Sequence, residues 1–339
     1  MTKSDAESAS RAMQASWLVT ALLLYLTLRL HLLPALLAGL LVFELVHLLA
    51  SVLTGRLSNR RAKIAAVLVL AVLVIGGVSL GTVLTVGFFN HHGGGIAALA
   101  QKMADTIDDA RLWLPDWLLD ILPEGVDSLK SAAAHWLREH AGEIGSVGKE
   151  AGIAFVHILI GMLIGAMVAL HEAASIPTMR PLAAALTERA RKLAQAFRRV
   201  VFAQVRIAAL NTAFTALYLA VALPLADVHL PLTKTMIALT FVVGLLPVVG
   251  NLISNTVIVV VSLALSPQVA LASLAFLVVI HKLEYFLNAR IVGSQIAAKA
   301  WELLLAMLAM EAAFGLPGLV AAPIYYAYVK SELAAAGLV

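Results

Sequence analysis

The sequence predicts an all-α polytopic membrane protein: eight transmembrane helices, one of them broken, with an extracytoplasmic helical insertion. Three observations predict it. Of 339 residues, 61% are hydrophobic and only 13% charged. Several charge-poor runs, such as Ile64 to Phe89 and Phe155 to Leu170, are long or apolar enough to cross a bilayer, for which a helix needs roughly 17–25 apolar residues. Most of these runs also lack the solvent-facing polar stripe that a soluble helix carries, so the soluble helical class is excluded. The absence of cysteine removes disulfides, thiolate nucleophiles and cysteine metal clusters.

The first 16 residues are polar and lack a short apolar core with a small-residue cleavage site, so no removable signal peptide is expected. Spans are expected at 17–33, 35–54, 63–88, 151–170, 204–225, 234–262, 267–286 and 302–328. The first two are separated only by His31 to Pro34, and Pro34 suits a helix start, so they form a hairpin. This divides the chain into a three-span segment (1–90), the insertion (91–150), a fourth span (151–170), a basic amphipathic segment (171–203) and a four-span bundle (204–330).

Charge orients these pieces. Arg56, Arg60, Arg61 and Lys63 follow the second span without an acid; residues 91–150 carry ten acids against five bases; residues 171–206 carry seven bases against two acids. Basic loops stay in the cytoplasm. Both termini and the 171–203 segment are therefore expected there, with 91–150 outside. The net charge of +4 reads as this orientation signal and not as a nucleic-acid footprint, so no nucleic-acid partner is expected.

The insertion opens on His91, His92 and three glycines and continues with Trp113, Trp117, Leu118, Leu122, Leu129 and Trp136 among charges. It reads as short amphipathic helices that pack on the membrane domain or on neighbouring subunits, because about 60 residues bury little core alone. The histidine pair has no third ligand nearby and reads as a polar turn. In the basic segment, a 100° projection sets Arg189, Arg191, Lys192, Arg198, Arg199 and Arg206 on one broad face and Leu186, Leu193, Phe197 and Val201 opposite. Such a helix lies along an anionic leaflet with membrane lipids as partners.

The sixth span is interrupted at Gly244-Leu245-Leu246-Pro247-Val248-Val249-Gly250-Asn251, with Ser254 and Asn255 beyond. Proline removes a backbone donor and clashes with the preceding turn. At membrane depth such a break survives only where protein or a water-lined cavity satisfies the freed groups, and it often marks a transport site. A proline-kinked packing helix is the plainer alternative. After the seventh span, His281, Glu284 and Asn288 share one face, with Lys282 and Arg290 beside them. Glu44, Glu302 and Glu311 are further acids in apolar runs, which are costly unless paired or hydrated. Gly315-Leu316-Pro317-Gly318 to Pro323 forms a second interruption, and the pairs Gly77/Gly81 and Gly161/Gly165 permit close helix approach. No metal or nucleotide motif is present, and His171-Glu172 lacks the second histidine of a zinc-protease helix. No cofactor, catalytic residue or metal ligand is assigned.

The order Leu246-Pro247-Val248-Val249-Gly250, then Glu284 to Gly293, then Phe314-Gly315-Leu316-Pro317-Gly318 to Pro323 resembles the autoinducer-2 exporter family of membrane permeases. The layout of three spans, outer insertion, single span, basic segment and carboxyl-terminal half is similar too. The chain departs from the family pattern at Ala289 or Arg290 and near Ala300, where proline is common, and at His281, where glutamine is usual. The resemblance implies an eight-span, homo-oligomeric inner-membrane permease that exports a signalling molecule or other small solute, in some members with cation and proton exchange. The transport cavity would then draw on Pro247, Gly250, Asn251, Asn255, His281, Glu284, Asn288, Arg290, Gly315, Pro317, Gly318 and Pro323. Proton or sodium coupling would fall to Glu284, Glu302, Glu311 or Glu44. The competing expectation is a membrane scaffold or envelope-interaction protein that presents the acidic insertion without transport.

Overall fold

The helices that hydropathy demands are present, but two of the expected spans reverse direction inside the protein. The computed structural model describes residues 3–53, 59–91, 141–172, 180–245, 249–263, 265–291 and 299–338, and every regular element among them is helical. In chain order these are α1 (Lys3–Arg29), α2 (Leu33–Leu53), α3 (Asn59–His91), α4 (Ala141–Glu172), α5 (Pro181–Leu217), α6 (Thr233–Gly244), α7 (Val249–Leu263), α8 (Pro267–Ile291), α9 (Ala300–Phe314) and α10 (Leu316–Ala335). A π-helical turn, Tyr218–Ala222, and one α-helical turn, Leu223–Leu225, extend α5. Four described helical stretches are long and apolar enough to cross a membrane: Arg11–Arg29, Leu33–Leu53, Lys149–His171 and Pro181–Leu225. The bulk of the expected insertion lies outside the described residues, as do Pro247 and Gly293.

The described chain falls into two units. The first combines α1, α2, the start of α3, α4 from Gly148, α5 as far as Val201, and α9 with α10. In it, α1 and α2 meet at a turn where His31 takes a positive φ of 56°, and Pro34 occupies the first turn of α2, where its missing N–H costs nothing. A β-carbon on Gly161 would run into the carbonyl of Ala35, and one on Gly165 into that of Gly39. The α2–α4 crossing is thus a backbone-to-backbone contact that only small residues permit. Gly77, by contrast, faces open space. Beside this crossing Val42, Val46, Ala66 and Ala169 bury one another.

α9 and α10 are joined by Gly315 alone, at φ 65° and ψ −148°, a conformation open essentially to glycine. Gly318 then presses its backbone on the Met310 carbonyl. Glu302 at the start of α9 pairs with Lys330 near the end of α10 at 2.7 Å and accepts a hydrogen bond from Tyr326. The expected eighth span, 302–328, is therefore an antiparallel helical hairpin. Its tip packs on the α1–α2 turn through Leu28, Leu33, Phe314 and Ala321. Tyr25 meets Phe314 edge-on at 6.0 Å.

Near its base, Glu332 on α10 is buried and paired with Arg189 and, at 3.1 Å, Lys192 of α5. The Arg189 Nε donates to Ser16 on α1 at 3.4 Å, and its guanidinium lies 5.4 Å from the Trp17 ring centre. Arg189 is only 5% exposed. This corrects the expected headgroup face: Leu193 and Phe197 are buried as projected, but Arg189 and Lys192 turn toward a buried carboxylate. A buried carboxylate left without its cationic partners is strongly destabilising, so Glu332 holds these two bases inward. Elsewhere in this unit Lys63 donates to His47 Nε2 at 3.1 Å, which leaves Nδ1–H to donate to the Phe43 carbonyl at 2.8 Å.

The second unit comprises the end of α3 from Ser79, the start of α4 to Val147, α5 from Phe202, the π-helical extension, and α6 to α8. Here α6 and α7 also form a hairpin: a β-carbon on Gly250 would strike the backbone of Val243 and Gly244, so the chain doubles back within the turn. With 12 and 15 residues, the two arms rise about 18 and 22 Å, too little for a hydrocarbon core of about 30 Å. The expected sixth span, 234–262, is therefore a helical hairpin with two short arms and not one continuous helix, and the described chain is a polytopic helical fold with two helical hairpins. Leu219, Leu223, Leu230, Met236, Ile258, Val261 and Leu277 form the core of this unit. Tyr218 stacks on Phe276 at 4.0 Å and reaches Ser273 at 3.0 Å, which in turn bonds Ser262 at 2.8 Å.

The α2–α4 contact makes a direct prediction. Gly161→Leu and Gly165→Val should each destabilise the detergent-solubilised protein by about 1–3 kcal/mol through overpacking, whereas Gly77→Ala should stay within about 0.5 kcal/mol of wild type. Thermal unfolding of the three variants checks this.

Candidate functional site

A helix that ends inside a membrane domain leaves four carbonyls without partners, and the helix that follows leaves four N–H groups. At the tip of the α6–α7 hairpin these groups face residues of α5. Gln204 Nε2 donates to the carbonyl of Gly244, the last residue of α6, at 2.8 Å. Ala208, one turn on, lies against Gly244 and leaves only ordinary contact distance there. One further turn along, the Asn211 amide nitrogen donates to the Asn251 Oδ1 at 3.0 Å, tying α5 to the first turn of α7. Gln204, Ala208 and Asn211 recur at four- and three-residue spacing, so they share one face of α5.

This face continues into the hairpin. Asn211 is 7% exposed, and Thr215, Thr240 and Ser254 are buried too. Thr240 returns its hydroxyl to the Met236 carbonyl at 2.8 Å, and Ser254 donates to Asn251 O at 3.3 Å. Thr212 Oγ1 is buried and has no hydrogen-bond partner among the described residues. The result is a narrow seam of uncharged amides and hydroxyls beside the buried helix ends at Gly244 and Gly250. The carbonyl end of α6 carries partial negative charge and the amide end of α7 partial positive charge. Such a seam can exchange hydrogen bonds with a polar solute or water; it holds no described nucleophile–base pair.

Of the residues expected in a cavity, Gly250 and Asn251 lie at this tip, and Asn255 follows one turn later, half-buried. His281 is exposed on α8. Glu284, Asn288 and Arg290 lie on α8, with side chains outside the described set; Pro247 falls between α6 and α7, also outside it. Gly315, Pro317, Gly318 and the buried Pro323 build the hairpin of the other unit. Among the acids, Glu302 braces that hairpin and also caps Lys299 N–H at 3.2 Å. Glu311 is exposed on α9, and Glu44 is buried with Arg198 Nε at 3.9 Å. Sequence reasoning passed over Gln204 and Asn211, whose amides inside the apolar 204–225 run were the available signal.

Gln204→Leu should leave the Gly244 carbonyl unpaired and cost about 1–3 kcal/mol of stability. A double-mutant cycle on Asn211→Ala and Asn251→Ala should return a coupling of about 0.5–1.5 kcal/mol. Unfolding of wild type, Gln204→Leu, the two single alanine variants and their double variant in one detergent measures both.

The sequence profile of the AI-2E family transporter matches residues 15–336, nearly the whole chain. No curated protein and no solved structure matches. Among the described residues no group of three or more metal-binding side chains occurs. The extent of the profile match, together with four membrane-length helices, shows that the chain belongs to the AI-2E transporter family and is a multi-pass inner-membrane transporter, not an enzyme.

Proposed function

We propose that the chain exports a small polar solute or signalling molecule, with the tip of the α6–α7 hairpin as part of the pathway and a proton or sodium gradient as the driving force. The observation that supports this reading is the Gln204–Gly244 hydrogen bond beside the Asn211–Asn251 pair. Backbone ends and uncharged amides sit together within an apolar unit, the arrangement that lets a half-helix meet a solute without a fixed charge. Amide and hydroxyl groups offer both donors and acceptors, which favours a solute rich in hydroxyl or carbonyl groups.

Glu284 on α8 is our candidate coupling group, because an acid in an apolar helix exchanges protons or binds a cation at low cost only where water or a partner reaches it. Asn288 and His281 share its face of the helix. In this reading both termini and the basic segment lie in the cytoplasm, the protein works as a homo-oligomer, and membrane lipids surround it.

Flux of a radiolabelled candidate solute from sealed proteoliposomes tests the proposal. Gly250→Leu should lower flux at least tenfold, since its side chain has no room against Val243 and the bent tip would open by more than about 1.4 kcal/mol. Glu284→Gln should keep folded protein at wild-type abundance and abolish the dependence of flux on an imposed proton or sodium gradient. Retained gradient dependence removes Glu284 from coupling. Wild-type flux no greater than that of protein-free liposomes supports the scaffold reading instead.

A further inference from the structure

Within the first unit, the α2–α4 crossing opens on one side into a cavity of about 910 Å³. That volume lies at the upper end of the range of about 300–1,000 Å³ found for small-molecule pockets. Its walls are apolar for most of their length: Ala35, Gly39 and Leu40 from α2 face Ile160, Ile164 and Val168 from α4. Polar groups lie at the two ends: His171, which closes α4, with Thr187 and Arg191 from α5 at one, and His157 of α4 with Thr27 of α1 toward the other, where there is no cationic Arg or Lys. No acid lines the cavity among the described residues. From Ile160 to His171 the helix rises about 17 Å, close to half of a hydrocarbon core of about 30 Å.

The cavity is open along α4. Leu163 and Met167, one position from the lining residues Ile164 and Val168, are 62% and 61% exposed, so the slot adjoins the surface that this helix turns to lipid. A polar solute has few partners along walls of this kind, because every desolvated hydroxyl would need a hydrogen bond that alkyl groups cannot give. A hydrocarbon chain loses nothing there. An anionic group at the Arg191 end gains a charge-assisted hydrogen bond, and basic pockets between helices at the membrane boundary are where anionic headgroups bind.

We infer that this cavity is a binding site for one anionic phospholipid, its headgroup on Arg191, Thr187 and His171 and an acyl chain between α2 and α4 along Ile160, Ile164 and Val168. Bound there, the lipid ties the basic helix to the α2–α4 pair at the level where Gly161 and Gly165 already fix those two helices. The inference does not rest on the solute pathway, which draws on other residues.

Delipidated full-length protein in neutral detergent, titrated with phosphatidylglycerol, phosphatidylcholine or inorganic phosphate and followed by native mass spectrometry, tests it. Phosphatidylglycerol should load one molecule per chain at about tenfold lower concentration than phosphatidylcholine, the value of one charge-assisted hydrogen bond. Arg191→Gln should remove that preference, and Ile164→Trp, which fills the slot from a half-exposed position, should weaken both lipids. Arg199→Gln, a basic change off the cavity, should alter neither. Should Arg191→Gln fail to fold, the Ile164→Trp titration decides alone. Equal loading of the two lipids, or loading untouched by Ile164→Trp, overturns the site. Phosphate bound through Arg191 with neither lipid loading would show a simple anion site and overturn the lipid assignment. Copies that cross-link through position 164, with no lipid bound, would place a second chain in the groove and overturn it as well.

Discussion

Backbone polar groups cannot be left unpaired at membrane depth, and the whole arrangement of this transporter follows from that constraint. Straight spans meet it automatically, since every interior N–H finds a carbonyl four residues back. The two hairpins meet it with outside help. At the α6–α7 tip the help is a side chain, Gln204, delivered by α5 to the Gly244 carbonyl. At the α9–α10 tip it is geometry: Gly315 donates its own N–H to Glu311 O at 2.7 Å while the N–H of Leu319 returns to Gly315 O at 3.1 Å, so the two helices share a one-residue joint. The first solution places polar amides inside an apolar unit; the second uses none. That difference is why the α6–α7 tip, and not the α9–α10 tip, carries the functional reading.

Charges are distributed on the same principle. Glu332 is buried with Arg189 and Lys192, and Glu302 joins Lys330 and Tyr326, so each pins one end of α10 to a neighbouring helix. Breaking one partner of such a buried pair is far more damaging than the pair is stabilising. Glu302 closes the α9–α10 hairpin on itself, and Glu332 holds that hairpin to α5 and, through Arg189, to α1. Glu302 and Glu332 are therefore braces by their observed partners, and the burden of ion coupling in the proposal rests on Glu284.

The spans were legible because hydropathy is a property of a single helix. The runs at 17–33, 35–54, 151–170 and 204–225 each needed only their own side chains to declare themselves, and each returned as membrane-length helix. The break at Pro247 was legible for the same local reason. What it led to was not. A 29-residue apolar stretch with a central proline and two glycines reads alike whether the chain kinks or reverses; the decision lies in partners about 40 residues away, Gln204 with Gly244 and Asn211 with Asn251. Gly315 hid its reversal similarly. Helical projection placed Leu193 and Phe197 correctly toward the interior but misplaced Arg189, because a carboxylate 143 residues distant outweighed the amphipathic pattern. Of the paired glycines that the described residues include, Gly161 and Gly165 meet a facing helix and Gly77 does not.

The hairpin course of α6 and α7 is the claim on which the rest depends, and the absence of native cysteine makes it directly measurable. Asp227, before α6, and Gln268, in the first turn of α8, are both exposed. Single-cysteine variants Asp227→Cys and Gln268→Cys, labelled with a membrane-impermeant maleimide in right-side-out and inverted vesicles, report the two ends of the hairpin. The account predicts labelling of both from the same face of the membrane. Labelling from opposite faces would make residues 234–262 a single crossing and contradict it.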